Sequence, residues 1–231
     1  MNRLENVFSN RTPALMVSVI DDIKPSWLED IGQFVDAYEF RVDKLAHLTE
    51  EDREALLGKL GKLPILGTVR ITSEGGDFDQ ETSNRLDIFD DLMAKVDGVD
   101  VELSAPDASD IISMARERQK LVIVSMHFFT EMPGFPTLEK TYELSKKLGA
   151  DLVKIAAMAL SPNDYKRLAL YTKSVVARDF ISIAMGEHMP EDPSKDLMAN
   201  GSKAVYSSDG IHFATPWQLD YRSAFVRRAH C

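Results

Sequence analysis

Lys154 is the residue whose setting points most directly to chemistry. It lies in segment 151–157, Asp-Leu-Val-Lys-Ile-Ala-Ala, with apolar neighbours on both sides. Burying a lysine ammonium is costly, so such a residue either meets a carboxylate or gives up its proton. Two interpretations follow: a structural lysine paired with an acid, or a nucleophilic amine that forms a Schiff base with a carbonyl substrate. Nearby cations such as Arg41 and Arg70 would favour the neutral amine that the second interpretation needs.

His127 is the candidate acid–base group. It ends an apolar segment, Val-Ile-Val-Ser-Met-His, that begins at residue 122. A lone histidine at a strand end is more often structural, but an imidazole can remove and return a proton near neutral pH. An amine nucleophile on the next strand favours that second interpretation. We expect Glu74 to orient His127 and to favour its protonated form, unless Glu74 is simply a surface carboxylate.

An alternation of charges, Glu39-x-Arg41-x-Asp43, marks another predicted strand. Alternate residues of a strand point to the same face, so the three side chains share one side. They form either a buried ladder of salt bridges or an edge that binds hydroxyl groups, since carboxylates accept and guanidinium donates in fixed geometry. Arg70 ends the next strand, and the doublet Gly75-Gly76 after Glu74 suits a tight turn.

These residues need a scaffold, and eight segments rich in Val, Ile and Leu supply its strands. Most of them are nearly continuous in apolar character, which is typical of parallel strands covered on both faces. They are residues 15–20, 38–42, 65–70, 99–103, 121–128, 152–156, 181–185 and 204–208. Helical spacing fills the intervals, over residues 49–61, 83–96, 108–119, 137–148, 162–174 and 216–229. The alternation predicts an α/β fold, a (β/α)8 TIM barrel in one domain spanning residues 1–231; the rival is a doubly wound open sheet.

Composition excludes several classes of protein. The chain has 231 residues with 37 acidic and 27 basic side chains, a net charge of −10, which argues against a nucleic-acid or anionic-membrane binder. Its apolar runs fall short of the roughly 20 residues that span a bilayer. The one cysteine is Cys231, and the other histidines, His47, His188, His212 and His230, show no metal-ligand spacing. We expect a soluble, cytoplasmic protein without a metal site.

Taken in order, four motifs resemble the type I 3-dehydroquinate dehydratases over nearly the whole chain. The motifs are Glu39-Phe-Arg41-Val-Asp43, Gly67-Thr-Val-Arg70 with Glu74-Gly-Gly76, Ser125-Met-His127-Phe and Val153-Lys154-Ile-Ala156. The resemblance implies a (β/α)8 barrel of the shikimate pathway, without metal or cofactor and usually a homodimer. It also implies that Lys154 forms an imine with the ketone of 3-dehydroquinate.

The same resemblance implies the remaining roles. His127 would take the adjacent C2 proton and then protonate the departing C1 hydroxyl, while Glu74 holds His127. Glu39, Arg41 and Arg70 would bind the ring hydroxyls of the substrate.

The carboxyl-terminal third departs from the family pattern. The family's lid reads Ser-Ala-Pro-Gly-Gln, whereas residues 214–218 read Ala-Thr-Pro-Trp-Gln. The arginine that grips the substrate carboxylate matches Lys195, and the lid serine matches Ala214. Gln218 is kept, and Thr215 or Arg222 is the candidate to compensate for the missing hydroxyl. The chemistry is expected to be retained and the specificity altered.

Three hypotheses follow from these observations. The favoured one is a 3-dehydroquinate dehydratase with an altered carboxylate clamp. The second is a related Schiff-base lyase that acts on a different cyclic hydroxy-ketone or on an aldolase-like substrate. The third is a non-catalytic paralogue that binds a metabolite or a protein partner.

Overall fold

Eight parallel strands alternate with helices, in the order that the sequence predicts. This computed structural model describes residues 2–79, 84–175, 179–187, 189–190 and 192–229, so His188, His230 and Cys231 lie outside the described residues. The strands are β1 (Ala14–Val19), β2 (Ala37–Arg41), β3 (Ile65–Thr68), β4 (Gly98–Glu102), β5 (Leu121–Phe128), β6 (Leu152–Met158), β7 (Phe180–Met185), β8 (Ala204–Ser208) and a short β9 (Leu219–Asp220).

The strands form one curled parallel sheet. Its hydrogen-bonded order is β7-β6-β5-β4-β3-β2-β1-β8-β9. At the seam between β7 and β8, the Lys203 N–H donates to Phe180 O over 2.9 Å and the Ser182 N–H donates to Ser202 Oγ over 3.1 Å. The sheet therefore curls round toward itself, which confirms the predicted barrel class and excludes the open doubly wound sheet.

The helices cover the outside of the sheet, except for the first. They are α1 (Arg3–Ser9), α2 (Pro25–Ile31), α3 (Glu50–Leu60), α4 (Arg85–Met93), α5 (Ala108–Glu117), α6 (Phe135–Leu148), α7 (Pro162–Ser174), α8 (Pro193–Ala199) and α9 (Tyr221–Arg228). Throughout the described ranges, every helix is too short or too polar to cross a bilayer.

Capping residues fix several helix starts. The side chain of Thr49 accepts a hydrogen bond from the Asp52 N–H, as its position before α3 predicts. The predicted helix 216–229 is wrong over its first five residues, because Asp220 accepts from the Arg222 and Ser223 N–H groups and so begins α9 at Tyr221. The sequence analysis did not anticipate α1, α2 or α8. Of these, α1 carries a capping box formed by Asn2 and Glu5.

The interior of the barrel changes from apolar to polar along the strands. At the amino-terminal end, α1 buries Leu4 and Phe8 in a cluster with inward side chains such as Met16. Toward the carboxyl ends, inward positions carry polar groups, and neighbouring strands bring them side by side. Ser18 is in register with Glu39, and Ser125 with Lys154. The polar end is therefore the place for a reactive site.

Candidate active site

A cavity of about 290 Å³ opens at the carboxyl ends of the strands. Eight of the nine residues predicted for the site line it: Glu39, Arg41, Arg70, Glu74, His127, Lys154, Thr215 and Gln218. The exception is Lys195. Its neighbours in α8, Pro193, Ser194 and Leu197, form that part of the cavity wall, so its assignment to the site rests on the resemblance alone.

Lys154 is buried, with 3% of its surface exposed. Its Nζ lies 2.5 Å from Asp100 Oδ2 and 3.7 Å from Glu39 Oε1. The inward positions of β2 and β4 thus carry carboxylates, which hold the amine by charge, and Arg70 binds the same Asp100 carboxylate. The amine is thus paired with acids, as the structural interpretation predicts. It also lines the cavity, as a nucleophilic amine must.

Asp100 is the site residue that the sequence analysis missed. Its Oδ1 accepts from Arg70 Nη2 over 2.7 Å and from Ser125 Oγ over 2.6 Å. Burial alone would raise the pKa of Asp100, but the positive charges of Arg70 and Lys154 hold that pKa well below its usual range. The available signal was a carboxylate inside the apolar strand β4, the same kind of interruption that singled out Lys154.

Arg70 is held on several sides. Its Nη1 donates to Ser125 Oγ over 2.7 Å and lies 3.0 Å from Glu102 Oε1. Glu102 in turn forms an ion pair with Arg85, a buried residue of α4. Because these contacts fix the guanidinium, Arg70 supplies a rigid positive charge to the cavity wall.

His127 and Glu74 form a largely buried pair. Glu74 Oε2 lies 2.8 Å from His127 Nδ1 and accepts from the His127 backbone N–H over 3.0 Å, while Ser104 donates to the other carboxylate oxygen. With Nδ1 bound to Glu74, Nε2 is the ring nitrogen available to exchange a proton.

The electrostatics of this pair differ from the expectation. Burial lowers the pKa of His127 well below its usual value, and the positive charges of Arg70 and Lys154 lower it further. Burial also raises the pKa of Glu74 to about 7. Desolvation and the neighbouring cations thus oppose the protonated form of His127 that Glu74 is expected to favour. A neutral imidazole suits a general base.

The glycine doublet lets the chain turn beneath this pair. Gly75 has a φ of +77°, and a Cβ there would lie 2.4 Å from the ring of Phe129, which itself stacks on His127. A Cβ on Gly76 would lie 1.9 Å from the carbonyl oxygen of Arg70. The doublet thus makes the tight turn that the sequence predicts, and it brings Glu74 to the histidine.

The alternation Glu39-x-Arg41-x-Asp43, which begins in β2, shows features of both interpretations. Arg41 binds Asp43 through two hydrogen bonds, Nε to Oδ1 over 2.9 Å and Nη2 to Oδ2 over 2.7 Å, which is the buried salt bridge. Glu39 instead accepts from Ser18 Oγ over 2.7 Å and from Thr68 Oγ1 over 3.1 Å. Both Glu39 and Arg41 line the cavity, so the strand can also present an edge to hydroxyl groups.

Gln218 joins the loop of residues 214–218 to the barrel. Its Oε1 accepts from the Ala214 N–H over 3.0 Å, and its Nε2 donates to Ser18 Oγ over 3.3 Å. Arg222, one candidate to compensate for the missing lid serine, instead binds Asp30 Oδ2 over 2.7 Å and does not belong to the described cavity lining. Thr215 does line the cavity, so it is the better placed of the two candidates.

Comparison with known proteins finds relatives over most of the chain. The chain is 32% identical over 201 residues to a 3-dehydroquinate dehydratase of Methanococcoides burtonii, covering 85% of each chain. It is 29% identical over 177 residues to that of Methanothermobacter thermautotrophicus, covering 75% of this chain and 77% of the relative.

Solved structures show the same fold. The type I 3-dehydroquinate dehydratase of Clostridium difficile superposes with a TM-score of 0.81 at 22% identity, covering 95% of this chain and 92% of the other. The enzyme of Aquifex aeolicus gives a TM-score of 0.78 at 25% identity, covering 94% and 98%. Residues 16–188 match the family model described as Type I 3-dehydroquinase. The chain belongs to the type I 3-dehydroquinase family.

Proposed function

We propose that this chain is a hydro-lyase that converts 3-dehydroquinate to 3-dehydroshikimate through a Schiff base on Lys154. The observation that carries the proposal is the buried amine of Lys154 in the same cavity as the His127–Glu74 pair. A nucleophilic amine and a neutral imidazole are the two groups that dehydration through an imine requires. Membership of the family supports the choice of substrate.

The proposed reaction begins at Lys154. The ammonium of Lys154 gives up one proton, and its Nζ adds to the substrate ketone. The ketone oxygen takes up that proton and leaves as water, which gives a protonated imine. His127 Nε2 then takes a proton from the adjacent C2, and the electrons of that C–H bond pass into the imine to form an enamine.

Elimination and release complete the cycle. The enamine expels the C1 hydroxyl, which takes the proton from His127 and leaves as water. Another water hydrolyses the protonated imine, which restores the ammonium of Lys154 and releases the conjugated enone. One water enters at hydrolysis and two leave, so the net change is the loss of one water.

The proposal also assigns the substrate contacts. Glu39 and Arg41 bind ring hydroxyls, and Asp43 occupies Nε and Nη2 of Arg41, which leaves Nη1 to donate to the substrate. Arg70 contributes its fixed charge. Thr215 and Gln218 contact the substrate from the loop that lines the cavity. The resemblance assigns the carboxylate to Lys195, but Pro193 and Ser194 form the cavity wall at α8, so the proposal gives Lys195 no substrate contact.

Two measurements test the proposal together. Purified protein is mixed with 3-dehydroquinate, and the absorbance of the enone product is followed for the parent, Lys154→Met and Lys166→Met, the last an exposed lysine of α7. The parent is then treated with borohydride during turnover, and peptide mass spectrometry locates the reduced adduct. We expect turnover and an adduct at Lys154 in the parent and in the Lys166 control. Turnover by Lys154→Met, or a parent without product and adduct, would contradict the proposal.

A different cyclic hydroxy-ketone is the second candidate substrate. Ala214 and Trp217 both line the cavity, at positions where the resemblance gives a serine and a glycine. The loss of a hydroxyl and the gain of an indole change both polarity and shape there. A borohydride adduct at Lys154 with another cyclic hydroxy-ketone, and none with 3-dehydroquinate, would favour this candidate.

Two finer proposals are a homodimer, which the resemblance implies, and a cytoplasmic location, which the composition favours. Light scattering during gel filtration tests the first, with an expected mass of twice that of the chain. Fractionation of the source cells tests the second, with the protein expected in the cytosolic fraction.

A further inference from the structure

Tyr206 presents its ring to the amine of Lys154. The Nζ atom lies 4.5 Å from the centroid of the Tyr206 ring, within the range of a cation–π contact. Tyr206 belongs to β8 and lines the cavity, whereas the carboxylates that hold the same nitrogen come from β2 and β4. The nitrogen therefore lies among two carboxylates and one aromatic face.

The hydroxyl of Tyr206 takes no part in the contact with Lys154. Within the part of the chain that the structure describes, this buried oxygen has no hydrogen-bond partner. Burial raises the pKa of Tyr206 well above its usual value, and the negative charges of Glu39 and Asp100 raise it further, so the phenol stays neutral. The ring face, rather than the hydroxyl, is thus the part of Tyr206 in contact with the nitrogen.

We propose that Tyr206 is a further catalytic residue, whose ring face stabilises the positive charge on Nζ of the protonated imine. This inference rests on the proposed Schiff-base function. A carboxylate also attracts that charge, but it can accept the imine proton and so weaken the electron sink. An aromatic face attracts the cation without accepting its proton. The ring therefore favours the charged imine that proton abstraction by His127 requires.

The test varies the electron density of the ring at nearly constant shape. Position 206 is changed to phenylalanine and then to mono-, di- and trifluorinated phenylalanines by site-specific incorporation, and kcat and KM for 3-dehydroquinate are measured for each. The same series at Phe180, a β7 residue that packs on Tyr142 and Tyr171, is the control. Fluorine withdraws electrons from the ring face, which weakens the attraction for a cation.

We expect Tyr206→Phe to keep kcat within about threefold, because the ring remains. Across the fluorinated series, kcat should fall stepwise by roughly tenfold in total, with little change at Phe180. The yield of borohydride-trapped adduct at Lys154 should fall in parallel. A flat series at position 206 in an active enzyme would overturn the inference, as would loss of activity in Tyr206→Phe, which would make the hydroxyl the acting group. A parent protein without turnover and without an adduct would instead overturn the function on which the inference rests.

Discussion

Asp100 Oδ2 lies 2.5 Å from Lys154 Nζ, and neither side chain has more than 4% of its surface exposed. The same carboxylate binds Arg70, so one acid neutralises charge from two buried cations. Without it, Arg70 would keep Glu102, whereas Lys154 would keep only the more distant Glu39, and the buried positive charge would be poorly compensated at high cost. Asp100 therefore holds the amine in the core of the barrel, at the position where the proposed Schiff base would form.

The first prediction concerns the stability that Asp100 provides. Because its pKa is lowered in the folded state, the ionised carboxylate stabilises the fold above the unfolded pKa of about 3.9, and this stability is lost as the pH falls below that value. Asp100→Asn should lower the free energy of unfolding at pH 7 by about 3 kcal/mol. It should also make the decline of stability below pH 4 shallower.

Urea denaturation between pH 3 and 8, followed by circular dichroism, measures both effects. Asp110→Asn, at an exposed position of α5, is the matched control and should leave the curve unchanged. An Asp100→Asn protein with the acid slope of the parent would refute the assignment.

The second prediction is a pH dependence set by Glu74. Its pKa of about 7 means that the carboxyl is largely protonated below that pH. A protonated Glu74 donates to His127 Nδ1 and forces the tautomer with its proton on Nε2, which cannot act as a base. The kcat/KM of the parent should therefore rise with pH through about 7.

Glu74→Gln tests this, because its amide can still bond to the histidine but cannot ionise. The rise near pH 7 should disappear from its kcat/KM profile, with activity lower than that of the parent at pH 8. Persistence of the same rise in Glu74→Gln would assign it to another group.

The third prediction concerns the effect of the Tyr206 hydroxyl on the stability of the protein, apart from the proposed catalytic role of the ring. Because the buried hydroxyl lacks a partner among the described residues, Tyr206→Phe should raise the free energy of unfolding by about 1 kcal/mol. Tyr165 is the matched control, since its hydroxyl donates to Asp196 Oδ2 over 2.6 Å. Tyr165→Phe should lower the free energy of unfolding by about 1 kcal/mol. Thermal and urea unfolding of both variants check the opposite signs, and a destabilised Tyr206→Phe would reveal a partner for its hydroxyl.

The strands could be predicted because strands that are buried on both faces consist of nearly continuous apolar residues. All eight predicted segments are strands, within two residues at each end. Five polar residues in or beside them line one cavity: Glu39, Arg41, Arg70, His127 and Lys154. Lys154, His127 and Glu74 could be identified because burying a charged or titratable group in or beside an apolar strand costs free energy unless the group is paired. The same reasoning applied equally to Asp100, which the sequence analysis passed over.

Other features depend on side-chain direction and on contacts between distant residues, which the periodicity of the sequence does not reveal. Arg222 is near the lid in the chain, yet its guanidinium binds Asp30 rather than the cavity. The lowered pKa of His127 follows from its burial and from the positive charges of Arg70 and Lys154. These charges come close to His127 only when distant strands meet. The start of α9 depends on whether Asp220 caps the helix, and an apolar stripe does not reveal this.

The last prediction concerns the altered carboxylate clamp. Ala214 lines the cavity and its N–H already binds Gln218, so Ala214→Ser adds a hydroxyl to the wall without changing the backbone contact. A hydrogen bond to a charged group contributes about 1.5–3 kcal/mol, so KM for 3-dehydroquinate should fall by about tenfold with little change in kcat. Lys195→Gln should change KM by less than about threefold, because Pro193 and Ser194 form the wall at α8. Steady-state kinetics decide the matter: an unchanged KM in Ala214→Ser, with a large increase in Lys195→Gln, would assign the carboxylate to Lys195 instead.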